Sequence, residues 1–120
     1  MAGLVAAVLT LPLLLRAAAA DSREWPVGDS YGWGFGVMGW PNYKPFKAGD
    51  VLLFKYKAGQ HNVVAVKDDA AAYSLCQFPA NATIYSSGDD RVTLARGMTF
   101  FLCGFADHCT NGLKMAVTAS

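Results

Sequence analysis

The sequence predicts an all-β domain of the sandwich or barrel type. Three observations carry that expectation. No long segment after residue 20 has the helical period. Short β-rich runs recur instead. Clusters of Gly, Pro, Asn and Asp punctuate those runs at the spacing of β-turns.

The chain starts with a segment that does not belong to such a domain. Leu4 to Leu15 is an apolar run, shorter than the roughly 20 residues a bilayer span needs. Arg16 and the small residues Ala17 to Ala20 follow. Residues 1–20 are therefore expected to be a secretory signal peptide cleaved after Ala20, although the free amine is the only charge ahead of the apolar run. Residues 21–120 then form one domain of ordinary size. The last residues, Lys114 to Ser120, carry no hydrophobic tail, so neither a glycolipid anchor nor a membrane span is expected. The formal charge of +1 falls to near zero once Arg16 is removed. That balance argues against nucleic acid or an anionic membrane as the partner.

Within the domain, Gly34-Phe-Gly36-Val-Met-Gly39 fits the dinucleotide pattern G-x-G-x-x-G. The fingerprint needs a helix opening at its third glycine, and Trp40-Pro41 ends any helix there. The glycines are read as turns around Tyr31, Trp33, Phe35 and Trp40. Behind the turn Ala48-Gly49-Asp50, Val51 to Tyr56 reads as a strand. Ala58-Gly59-Gln60 separates it from a second, Asn62 to Val66. Asp68 to Ala72 suits a short helical turn. Thr83 to Tyr85, Arg91 to Leu94, Met98 to Cys103 and Met115 to Thr118 complete the strands, with turns at Ser87-Gly88-Asp89-Asp90 and Arg96-Gly97. The continuous runs Val51-Leu52-Leu53 and Phe100-Phe101-Leu102 suggest strands covered on both sides. Asn81-Ala82-Thr83 is an N-glycosylation sequon in a loop marked by Pro79.

Cys76, Cys103 and Cys109 are an odd number for an oxidising compartment. Two are expected to pair and one to remain. A Cys103–Cys109 bridge is possible, but it would occupy the thiolate and displace the loop. Cys76–Cys109 is the preferred pairing, and closing a loop of roughly thirty residues contributes about 3–4 kcal/mol in the chain-entropy model. Cys103 is then left beside His108, with His61 upstream in an apolar run. One thiolate and two imidazoles are the equatorial set of a blue copper site. Thiolate favours Cu(I), imidazole serves either oxidation state, and a site suiting both moves little as an electron comes or goes. Zinc is the main rival for the same donors.

Gly49-Asp50-Val-Leu-Leu-Phe-Lys-Tyr, His61-Asn62-Val63-Val64 and Cys103-Gly104-Phe105-Ala106-Asp107-His108-Cys109 resemble the phytocyanins, secreted plant blue copper proteins. Within them the likeness is to the plantacyanin, or basic blue protein, branch, from about Trp25 to the end of the chain. The resemblance implies a cupredoxin fold, a Greek-key β-sandwich or barrel of two sheets. It also implies one type 1 copper on His61, Cys103 and His108, and a Cys76–Cys109 disulfide. Three features depart from the pattern. Leu113 stands where plantacyanins have an axial methionine and stellacyanins a glutamine. Ala106-Asp107 replaces the usual Pro-Gly. The mature charge is near neutral rather than basic. Leu113 has no lone pair to donate, and Met115 on the same side of the strand reaches the metal only if the loop shifts, so core packing is the expected role of Met115. Early nodulin-like relatives lose the copper histidines, and this chain keeps both.

The leading functional expectation is a secreted, monomeric, mononuclear blue copper protein of the apoplast or cell wall. It would pass single electrons to a redox partner whose identity the sequence does not give. The alternative is a non-redox extracellular binding or signalling module on the same fold. An enzyme is not expected: Cys103 and a histidine could mimic a thiol-hydrolase pair, but five residues on one loop suit chelation better.

Overall fold

In the computed structural model residues 22–120 are described, and the expected signal peptide at residues 1–20 lies outside the described residues. Seven strands and one short helix follow each other along the chain. They are β1 (Glu24–Pro26), β2 (Val51–Lys55), β3 (Val63–Lys67), α1 (Ala70–Leu75), β4 (Thr83–Tyr85), β5 (Asp89–Thr93), β6 (Gly97–Leu102) and β7 (Lys114–Ala119). They form two sheets of order β1-β2-β5 and β4-β3-β6-β7. This is the two-sheet, nearly all-β architecture of the cupredoxins.

The sheets exist because alternate residues face each other across one interior. In β2, Leu52 and Phe54 are fully buried, and Val92 and Leu94 meet them from the neighbouring segment. Phe101, Cys103, Leu113, Met115 and Val117 line the opposite wall of the same core. The middle of β6 is covered on both sides, as its apolar run predicts. Phe101 faces the main core, while Phe100 and Leu102 join Val64, Val66, Ala72 and Cys109 in a second cluster beneath α1. The Val51-Leu52-Leu53 run is only partly so, because Val51 and Leu53 stay half-buried.

Several boundaries differ from the sequence reading. β1 was not anticipated: three residues with one half-buried member carry no periodic signal. It pairs in parallel with β2, so the first sheet is not wholly antiparallel. Asp89 and Asp90 belong to β5 rather than to a turn, because they pair with Lys55 and Phe54 of β2, and the inward Asp90 carboxylate accepts hydrogen bonds from Ser87 and from the Tyr56 hydroxyl. The helix runs from Ala70 to Leu75 instead of 68–72. Asp69 caps it by accepting from the Ala72 N–H at 3.0 Å, which leaves Asp68 outside. After Gly36, at φ 90°, only one turn of 3-10 helix (Val37–Gly39) forms before Trp40-Pro41. No helix among the described residues is long and apolar enough to cross a membrane.

Two polar ties close the interior. Tyr56 reaches both sheets, donating to Asp90 on β5 and to the Tyr85 carbonyl on β4. Burial, reinforced by the Asp90 carboxylate, pushes its hydroxyl up to about 12. Asp50 is fully buried. Its carboxylate accepts from the Arg23 N–H (3.0 Å), the Lys47 N–H (2.9 Å) and the Trp25 indole N–H (2.9 Å), and so fastens the entering chain to β2. Burial pushes this carboxyl up, but the Trp25 indole and the two backbone donors outweigh it, and it titrates below the ordinary 3.8.

Replacing Asp50 with Ala leaves those three donors without their acceptor and should cost about 3 kcal/mol in a urea unfolding experiment, at about 1–3 kcal/mol per orphaned buried group offset by partial rehydration. The ionised form is the stabilising one, so its contribution is complete above 3.8 and is lost as pH falls through the lower folded value. The stability gap between the native protein and Asp50→Asn should therefore narrow as the pH is lowered from about 5 towards 2.

Candidate metal centre

The donors meet at one end of the four-stranded sheet because of strand register. Val64 on β3 pairs with Leu102 on β6. The next step outward sets Val63 opposite Cys103, and both face the main core. His61 lies two residues before Val63 and so emerges on the same face. On the other side of β6, Leu102 pairs with Lys114, and the Cys103 N–H donates to the Leu113 carbonyl at 3.1 Å. The eleven residues from Cys103 to Leu113 are thus a loop closed at its base. Inside it the His108 N–H donates to Phe105 and the Leu113 N–H donates to the His108 carbonyl, at 3.0 and 2.9 Å. Cys109 bonds to Cys76 at the end of α1, pinning the loop to the helix one residue beyond His108.

Asn62 stitches the His61 segment to this loop. Its Oδ1 accepts from the Gly104 N–H at 2.5 Å, and its carbonyl accepts from the indole N–H of buried Trp33 at 2.9 Å. A Cβ at Gly104 would lie 3.1 Å from both the Asn62 amide nitrogen and Val64 Cγ2, so glycine permits the close approach. Neither role is visible from composition. The only sequence trace is the adjacency of Asn62 to His61.

The Nδ1 atoms of His61 and His108 are 3.2 Å apart, and Cys103 Sγ lies 3.9 Å from the first and 3.5 Å from the second. The point in their plane equidistant from all three atoms is about 2.1 Å from each, within the range of metal–nitrogen and metal–thiolate bonds of about 2.0–2.3 Å. The residues fit one small metal ion in trigonal coordination. His61, Cys103 and His108 are the group of potential metal ligands that converges among the described residues. Cys103 is fully buried, and both histidines are half-exposed.

Leu113 is fully buried directly across from Cys103. Met115 pairs with Phe101, one step deeper along the same face, within the main core. Phe35, 55% exposed, packs edge-on to both imidazoles, with ring centroids 5.9 Å from His61 and 5.2 Å from His108. Asp107 is exposed on the loop, where its carbonyl accepts from the Thr110 hydroxyl. Asn81 is exposed in the turn leading into β4, away from this end. Burial, and then the neighbouring His108 ring, hold His61 below its ordinary 6.5, which favours the neutral, ligating form.

Residues 25–113 match the family model of the plastocyanin-like domain. The chain is 46% identical over 117 residues to the chemocyanin of Lilium longiflorum, a likeness covering 98% of this chain and 91% of that one. It is 48% identical over 107 residues to the basic blue protein of Arabidopsis thaliana, covering 89% and 81% of the two chains. Among solved structures it superposes on cucumber basic protein, a blue copper protein, with a TM-score of 0.77 at 44% identity over 81% of this chain and 99% of the other.

In the metal-free protein, proton NMR should show His61 titrating with a midpoint below 6.5. In His108→Ala the midpoint should move back upward, because the like charge that disfavours the second proton is gone.

Proposed function

The chain belongs to the plastocyanin-like phytocyanin family, and on that premise we propose that it is a secreted single-copper electron carrier whose metal is held by His61, Cys103 and His108, with Leu113 in the axial place. The observation that carries this reading is the triangle of one sulfur and two nitrogens, 3.2 to 3.9 Å on a side, at the closed end of a rigid sheet. Bound copper would supply reversible one-electron chemistry through its thiolate bond.

The protein residues account for the rest. The β6–β7 base, the Asn62 clamp and the Cys76–Cys109 bridge hold the donors in position in either oxidation state, which keeps rearrangement small. Both imidazoles turn Nδ1 inward, so their outer edges face the half-exposed surface. The His108 edge beside Phe35 is the short way in for an electron. Cys103 Sγ is sealed from solvent, which leaves no approach for a substrate to a nucleophilic thiolate and supports a carrier rather than a hydrolase. Secretion rests on the apolar leader at residues 1–20 and on the oxidised Cys76–Cys109 pair.

Leu113 tunes the site. Leu113 has no lone pair to offer, so copper held by His61, Cys103 and His108 would lack the donor a methionine supplies, and its oxidised state would be less favoured. The aliphatic side chain also keeps the Cys103 side of the site dry.

Copper added to the purified protein should give an intense visible thiolate charge-transfer band, bleached by ascorbate and absent in Cys103→Ser. A colourless, folded protein under those conditions would favour the non-redox module instead. Voltammetry of the native protein against Leu113→Met should place the native reduction potential higher. A native value equal to or below that of the variant would defeat the axial assignment.

A further inference from the structure

The two sheets part on the side where β4 and β5 are both edge strands. A cleft of about 210 Å3 opens between them there. Its lining is mixed, apolar from Ala65 and Val92 and polar from Thr83, Thr93, Thr99 and Lys67. At ~30 Å3 per water it holds about seven waters, the scale of one pyranose ring. A sugar ring has the matching character, with an apolar face and a hydroxyl edge. The sequon residues Asn81, Ala82 and Thr83 themselves line this cleft. Asn81 is exposed in a turn closed by the Ala82 N–H on the Pro79 carbonyl at 3.0 Å, immediately before β4.

β4 needs cover. It is three residues long and pairs with β3 alone, which leaves its other edge open. An edge of this kind invites pairing with another chain unless something blocks it. So shallow a cleft would not hold a free sugar, since ligand sites usually enclose about 300 Å3 or more. A sugar tethered at the rim is different, because a short tether raises its effective concentration to the order of millimolar.

We propose that Asn81 carries an N-linked glycan whose first N-acetylglucosamine folds back into this cleft and covers the β4–β5 edge. The inference rests on the secretion reading, since modification requires passage through the secretory lumen. In the attachment step the Asn81 Nδ2 forms a bond to C1 of a polyprenyl-diphosphate-linked oligosaccharide. The C1–O bond to the diphosphate breaks, the lipid diphosphate leaves with that electron pair, and Nδ2 gives up one proton. The Thr83 hydroxyl completes the acceptor sequence and stands on the cleft rim beside the attached ring.

The test is expression of the full chain with its own leader in plant cells. Peptide mapping by mass spectrometry should find one glycan, on Asn81, retained in Thr83→Ser and absent in Asn81→Gln. Protein trimmed by endoglycosidase to a single N-acetylglucosamine should keep the Tm of the untrimmed form. It should unfold roughly 4 °C or more above Asn81→Gln, and the acetyl methyl should show NMR contacts to Ala65 or Val92. A glycan with no such contacts and a Tm equal to that of Asn81→Gln overturns the cleft assignment. Secreted protein with a bare Asn81 overturns the glycan while leaving secretion standing. Protein retained in the cytosol overturns the secretion reading and this inference with it.

Discussion

The register of β6 between β3 and β7 is the constraint on which the metal end depends. β6 lies between β3, which His61 precedes, and β7, which Leu113 precedes, and Cys103 follows its own end. Val64 opposite Leu102 fixes where His61 stands relative to Cys103, and Leu102 opposite Lys114 fixes where Leu113 stands. A slip of one residue would turn Cys103 towards α1 and Leu102 towards the imidazoles. The register is protected because both faces of β6 are buried against different clusters, so the slip would misplace apolar side chains on both sides at once.

Around that axis the protein adds short ties rather than large surfaces. Asn62 spans the two donor segments with one side chain, and Trp33 fixes the Asn62 backbone from below. Asp50 does the equivalent work at the other end of β2, where it gathers three donors from the entering chain and the preceding turn. Asp50 is a fully buried acceptor with good partners, a case in which losing one member costs more than the bond contributes. No buried side-chain polar atom among the described residues lacks a partner.

Much of this was legible in the sequence, for identifiable reasons. Cys103 and His108 share a loop, and an odd cysteine count leaves one thiol to be explained, so the donor set could be read from spacing and chemistry alone. The count left two pairings open for Cys109, and the preferred one, with Cys76, is present. Strands with strong β-rich runs were placed within a residue or two. What escaped was whatever depends on distant partners. β1 is a strand only because β2 lies beside it, and Asp90 is part of β5 only because Phe54 of β2 pairs with it. Phe35 sits between glycines in a loop with no periodicity, so nothing local announced that its ring would lie over the two imidazoles. Asn62 read as the first residue of a strand, and nothing local showed that its side chain would clamp Gly104.

The position of Cys109 imposes an order on biogenesis. In an unfolded chain Cys109 has two possible mates: Cys103, six residues away, and Cys76, at a separation of 33. Loop-closure entropy alone favours the nearer one by about 1.5 kcal/mol. A chain oxidised too early would lock the Cys103 sulfur into a dead-end bridge. Once β6 is paired, Cys103 is sealed in the core, and α1, capped by Asp69, presents Cys76 to the outer side of the loop. Burial thus works as a protecting group: with the sheet assembled first, Cys103 is hidden from oxidation and Cys76 is the mate left to Cys109.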